Sequence, residues 1–114
     1  MIDDVFCKII SGELKGDIVQ RDDEFIVLRD IRPQAPAHLL VLPVAHADSI
    51  GDIKDDAQLG RMLRVAHEVA AKQGLDKGYR IIINEGEHGG KLVPHLHLHL
   101  LGGKRLGAKL VKED

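Results

Sequence analysis

Aromatic side chains are scarce in this chain: they make up 3% of its 114 residues, and tryptophan is missing altogether. Any core must therefore be aliphatic. Cysteine occurs once, at Cys7, which excludes an internal disulfide and fits a reducing compartment. Long apolar runs are missing too. The acidic opening MIDDVFCKII lacks the basic leader and apolar stretch of a secretory signal, so no membrane partner and a cytoplasmic location are expected. Nor is there a surplus of positive charge: the formal net charge is -2, which offers no basic surface to a nucleic-acid backbone, and DNA or RNA is not an expected partner. Repeats, low-complexity tracts and linker-like stretches are absent, so residues 1–114 read as a single domain, long enough for one core and too short for two. With hydrophobic residues at 44% and charged residues at 30%, the composition is that of a folded globular chain. An active site in so short a chain is expected to sit on one sheet or to be shared with a second copy.

What is present alternates between helical and strand periods. Val5, Phe6, Ile9 and Ile10 recur at helical spacing behind Asp3 and Asp4, which can cap the first turn, and Gly12 can end it. DIVQRD and EFIVLRD, separated by a turn at Asp22 and Asp23, predict a hairpin, and HLLVLPV (38–44) predicts a third strand. Between Asp55 and Gly74 the residues Leu59, Met62, Leu63, Ala66, Val69 and Ala70 form one apolar stripe opposite Arg61, Arg64, Glu68 and Lys72. YRIIIN (79–84) predicts a buried strand, and the glycine-rich EGEHGGKLVP leads into a last one. This order indicates an α+β fold with helices on an antiparallel sheet.

That last segment, PHLHLHLL (94–101), carries His95, His97 and His99 at alternate positions. In a strand, all three imidazoles project from one face and Leu96, Leu98 and Leu100 from the other. Same-face neighbours lie about 6.7 Å apart and the outer two roughly 13 Å apart, too far for all three to hold one ion at about 2 Å per bond, while a pair such as His95 and His97 with a third ligand stays open for zinc. The spacing suits a central actor with flanking helpers. Imidazole titrates near neutrality, so such a row can supply a nucleophile, a proton carrier and a phosphate ligand. Gly86, Gly89 and Gly90, just upstream, allow backbone N–H groups to approach an anion closely. In DIRPQAPAHLLVLP (30–43), Pro33 and Pro36 set an extended bend before His38. His46, His67 and His88 are not recruited to the site on residue type alone; of His67 and His88, the latter is the better placed to reach a substrate.

FCKIISGEL, DIRPQAPAHLLVLP, GYRIIINEGEHGG and PHLHLHLLGG, in this order, resemble the histidine triad (HIT) family and its purine-nucleotide-binding HINT branch over nearly the whole chain. The resemblance implies a five-stranded antiparallel sheet with two helices, and a homodimer whose sheets join into one of ten strands through the 55–74 helix and the 79–84 strand. It implies hydrolysis at the α-phosphorus of a purine nucleoside 5'-phosphoramidate, releasing AMP. On that pattern His97 is expected to attack phosphorus and form a nucleotidyl-histidine. His99 and His38 contact the phosphate or manage its charge, and His95 orients the nucleophile. Asp30 matches a ribose-binding carboxylate followed by Ile31; Val5, Phe6, Ile9, Leu28 and Leu40 match apolar positions around the base; Asn84 and Gly90 match polar groups near the phosphate. Hydrolysis of dinucleoside polyphosphates and non-catalytic nucleotide sensing are the other readings.

Departures from the family pattern concentrate in the loop and at the N-terminus. Lys91 stands where glutamine is usual and Leu92 where some members place a polar contact; lysine donates but cannot accept a hydrogen bond, so an altered leaving-group preference is expected. The ending KRLGAKLVKED lacks the tryptophan some relatives carry and resembles a bacterial-type tail. Some members hold zinc with a Cys-x-x-Cys pair and two histidines, and Asp4, Cys7, His46 and His95 occupy comparable positions. Losing one thiolate weakens that centre, so the expected site needs no metal and no cofactor.

Overall fold

The computed structural model describes residues 4–108. Along the chain run helix α1 (Val5–Ser11), strands β1 (Ile18–Arg21), β2 (Phe25–Arg29) and β3 (Ala37–Pro43), a 3-10 turn (Ile50–Asp52), helix α2 (Asp56–Lys72), and strands β4 (Tyr79–Ile83) and β5 (Leu98–Gly102). The strands form one antiparallel sheet of five in the order β1-β2-β3-β5-β4. This is the expected α+β architecture.

Each helix begins on an aspartate. The Asp4 carboxylate accepts the Cys7 N–H at 2.8 Å and the Asp55 carboxylate accepts the Ala57 N–H at 3.0 Å, each satisfying a donor that the first turn leaves orphaned. Gly12 closes α1 with φ 86°, a left-handed conformation that costs glycine little. Asp3 and residues 109–114 lie outside the described residues.

The period of two along the strands divides the core. On one face, Val27, Leu39, Val41, Leu98 and Leu100 pack against Met62, Ala66, Val69 and Ala70 of α2. On the other, Phe6 of α1 packs with Ile26, Leu28, Leu40 and Leu42. Burying a side chain of the Val, Leu or Met class stabilises by about 1.5–3 kcal/mol, so the larger cluster holds most of the fold. With only seven residues, α1 covers part of its face. His97 and His99, on that same face, stay half-buried.

Three expectations are corrected. The histidine segment is not a strand from Pro94: the ladder begins at Leu98, because Pro94 has no N–H to donate and the next amides go elsewhere. The His95 N–H bonds to Val93 O at 2.8 Å, and the Leu96 N–H to Ala47 O at 2.7 Å. Alternation survives this, since Leu96, Leu98 and Leu100 all point into the α2 cluster. Second, Leu63 does not join the core stripe of α2; it is 50% exposed because it lies on the helix flank beyond the sheet contact. Third, β4 is half-exposed rather than buried, because it is the outer strand of the sheet, with Tyr79 and Ile82 open to solvent.

Candidate active site

Cross-strand register creates the site. Leu40 of β3 lies opposite His99 of β5, and His38 lies opposite Leu101, so His38 and His99 share the α1 face as diagonal neighbours. Their rings meet: His38 Nε2 is 2.9 Å from His99 Nδ1. His97 follows at a ring distance of 5.0 Å from His99, and the Phe6 ring lies 5.1 Å from that of His97.

Backbone groups assign the protons. His97 Nδ1 is 2.7 Å from the His95 carbonyl oxygen, which can only accept, so Nδ1 carries a hydrogen and in the neutral ring the free lone pair is on Nε2. The Gln34 N–H donates to His38 Nδ1 at 3.0 Å, which places the hydrogen of that neutral ring on Nε2. From there it points at His99 Nδ1, with Asp30 Oδ2 at 3.4 Å as a second acceptor. His99 in turn carries its hydrogen on Nε2. Burial pushes His99 down to about 4, helped by His97 and His38 and opposed by Asp30, so this ring is neutral at pH 7. The row therefore offers one nitrogen lone pair beside one neutral N–H donor.

Asp30 is tied locally as well, its Oδ1 accepting the Arg32 N–H at 2.8 Å in an Asx turn. Among the expected base-contacting residues, Phe6, Leu28 and Leu40 share one cluster with Ile9 packed against it, while Val5 is 45% exposed and outside it. Ile31 is 86% exposed, beside Asp30 in sequence but with its side chain in solvent. Asn84 donates to Gly89 O at 2.7 Å and so braces the loop, and Gly90, at φ 79°, follows directly. Gly89 is held against Glu85: a Cβ there would stand 2.1 Å from the Glu85 carbonyl oxygen. Lys91 does not extend freely into the loop mouth; its Nζ lies 4.0 Å from Glu85 Oε2 and its side chain is 12% exposed. Leu92 is 94% exposed. His67 bonds the Tyr79 hydroxyl at 2.8 Å and His88 lies on the exposed loop, and neither joins the cluster.

His95 turns away from the other two. Its ring is fully buried, with Nδ1 3.3 Å from Asp4 Oδ2 and 3.6 Å from Cys7 Sγ. His46 Nδ1 completes the group, 3.1 Å from Cys7 Sγ and 3.6 Å from Asp4 Oδ2. Asp48 Oδ1 lies 2.7 Å from His46 Nε2, which leaves the Nδ1 of that neutral ring unprotonated toward the centre, while His95 Nδ1 faces Asp4 Oδ2 as a donor and would lose that hydrogen on binding an ion, its Nε2 being 3.5 Å from the Pro43 carbonyl. Burial lowers the His95 pKa against the pull of Asp4, which favours the neutral ring a ligand requires. Burial also pushes the Asp4 carboxyl up, but the Cys7 N–H and the two histidines outweigh it and hold it below its usual value. A tetrahedral ion with bonds of about 2.0–2.3 Å needs donors roughly 3.3–3.8 Å apart, so the present spacing fits a soft divalent cation with little movement. The sequence places these four positions in one set through its likeness to zinc-holding relatives, but nothing in it reveals the Asp48 brace.

The HIT domain matches residues 11–106. The purine nucleoside phosphoramidase of Escherichia coli (strain K12) is 44% identical over 109 residues, which cover 93% of this chain and 92% of that protein. A 14 kDa zinc-binding protein of Brassica juncea is 42% identical over 91% of this chain and 96% of its own length. The structure of a HIT family hydrolase from Clostridium thermocellum superimposes with a TM-score of 0.90 at 40% identity, covering 97% of this chain and 99% of that one. With the sheet order, the histidine row and these matches in agreement, the chain belongs to the HIT family.

Proposed function

We propose that this protein hydrolyses purine nucleoside 5'-phosphoramidates, and that His97 is the attacking group. The observation carrying this reading is the His97 Nδ1 contact to the His95 carbonyl at 2.7 Å, which directs the Nε2 lone pair away from the backbone and toward the open face. The name of the Escherichia coli relative supports the substrate class.

In the first step the Nε2 lone pair forms a bond to the α-phosphorus and the P–N bond to the leaving amine breaks, the amine nitrogen taking a proton from solvent, which the water of the second step returns. Water then attacks the same phosphorus, the N–P bond breaks, and AMP leaves with His97 regenerated. The neutral Nε2–H of His99, fixed by His38, donates to a phosphate oxygen as charge gathers there, and Gly90 and Asn84 frame the other side. Asp30 and Ile31 hold the ribose, and the Phe6, Ile9, Leu28 and Leu40 patch, with Val5 at its rim, takes the base. Zinc, where bound by Asp4, Cys7, His46 and His95, supplies a cross-link between α1 and the segment before β5.

Two copies are proposed to join through β4, whose outer edge is unpaired among the described residues, with Leu63, Tyr79 and Ile82 on the exposed flank. Among the described residues no helix is long and apolar enough to cross a membrane. The test is brief mixing with an adenosine 5'-phosphoramidate, acid-free quenching and peptide mass spectrometry. An adenylate adduct on His97, missing in His97→Asn, is the expected result; an adduct on another residue, or turnover retained by His97→Asn, refutes the assignment. Diadenosine tetraphosphate in a parallel assay is expected to turn over more slowly.

A further inference from the structure

His95 belongs to two sites at once. Its ring enters the Asp4, Cys7 and His46 group, while its carbonyl oxygen holds His97 Nδ1 at 2.7 Å. The segment that carries it lies outside the sheet, since β5 begins only at Leu98. Two backbone bonds secure it, from the His95 N–H to Val93 O and from the Leu96 N–H to Ala47 O, and the second orients the planar His95–Leu96 peptide, whose carbonyl points opposite to that N–H. The acceptor, Ala47, directly follows His46, so the ring of His95 and the loop that orients its carbonyl are both anchored at the same group of donors.

Three separate stretches meet at the ring. Asp4 and Cys7 come from the first turn of α1, His46 from the loop after β3, and His95 from the segment before β5. Between Asp4 and Cys7, Phe6 sets its ring 5.7 Å from His95 and 5.1 Å from His97. Moving α1 thus moves both the packing on His97 and the anchor of its hydrogen-bond acceptor. Hydrogen bonds among the four donors are individually worth about 0.5–1.5 kcal/mol net, whereas coordination of all four by one ion joins the stretches far more strongly.

We infer that occupancy of the Asp4, Cys7, His46 and His95 centre by a zinc-like cation fixes the orientation of His97 through the His95 peptide and Phe6, making the centre a positioning device for the attacking imidazole. This rests on the reading of His97 as the attacking group, but its structural content does not require turnover. Metal stays out of the reaction itself. Asp48 matters because its carboxylate holds the His46 tautomer from outside the set of donors.

The experiment uses the full chain, stripped with a chelator and titrated with zinc chloride, with ring nitrogens labelled in histidine. One zinc per chain is expected to bind, and the exchange lifetime of the His97 Nδ1–H is expected to lengthen by about tenfold on loading. Asp48→Asn keeps all four donors and is expected to shift the zinc concentration of both events together, by about 10- to 100-fold. His46→Ala, checked for folding by far-ultraviolet circular dichroism, is expected to leave the His97 signal insensitive to zinc. Zinc binding with no change at His97 overturns the inference, as does failure to bind zinc at micromolar concentration. Adduct trapping with the stripped and loaded forms separates the two claims: a zinc-responsive His97 that never becomes adenylated sinks the catalytic reading alone. An adduct formed equally fast with an unresponsive His97 sinks only the positioning role.

Discussion

Lowering the pH is a direct probe of the His99 environment. A free histidine titrates near 6.5, and burial, with His97 and His38 nearby, brings His99 to about 4. At pH 5.5 about 3% of His99 rings are then protonated in the folded protein, against about 90% in the unfolded chain. The unfolded state binds more protons throughout this interval, so stability falls as pH drops from about 6.5 toward about 4, and is unaffected by this group above that window. The full shift corresponds to about 3.4 kcal/mol, but the ring is partly open to water, and screening reduces the expected loss to roughly 1–2 kcal/mol. Urea denaturation at pH 7 and pH 4.5 measures it, beside histidine-resolved NMR titration. His99→Asn, which has no titrating ring, is expected to flatten part of the pH dependence, leaving the share that the buried His95 contributes in the same direction. A His99 midpoint near 6.5, or an unchanged slope in His99→Asn, would refute the proposed neutral donor.

Further predictions follow from packing and from the loop. Gly89→Ala places a Cβ 2.1 Å from the Glu85 carbonyl oxygen, so it is expected to cost about 1–3 kcal/mol and to weaken AMP binding measured by calorimetry. Lys91→Gln removes the partner of Glu85 and replaces a cation with a neutral amide; kcat/KM for two phosphoramidates with different leaving amines is expected to change in ratio, and an unchanged ratio counts against a role for Lys91. Met62→Ala empties a site that is 1% exposed and is expected to cost about 2–5 kcal/mol in chemical denaturation. Leu63→Asp, on the 50% exposed flank of the same helix, is expected to lower stability of the monomer little but to shift sedimentation toward the monomer.

Local periodicity made most of the scaffold legible. Asp4 and Asp55 before apolar stripes, Gly12 after one, and the alternation in HLLVLPV and HLHLHLL specify elements through neighbouring residues alone, and the structure keeps them within a few residues. Leu96, Leu98 and Leu100 face one way whether or not the segment is in a ladder, because alternation needs only an extended backbone. Burial of β4 was not legible in the same manner. YRIIIN is as apolar as an interior strand, and its place at the sheet edge depends on β5 pairing between β3 and β4.

Composition and the spacing of His95, His97 and His99 by themselves determined an aliphatic core and an alternating imidazole row, and the likeness to the HIT family lay in FCKIISGEL, DIRPQAPAHLLVLP, GYRIIINEGEHGG and PHLHLHLLGG taken together. Tertiary structure alone decided what each imidazole does. Hydrogen-bond direction depends on partners distant in sequence: Gln34 sets the proton on His38, His38 sets it on His99, and the His95 carbonyl sets it on His97. It was likewise the fold that buried His95 among Asp4, Cys7 and His46 while leaving His97 and His99 half-open on the same α1 face. Periodicity tells a side chain which face to take; only the groups packed against that face determine its proton, its charge and its ligand.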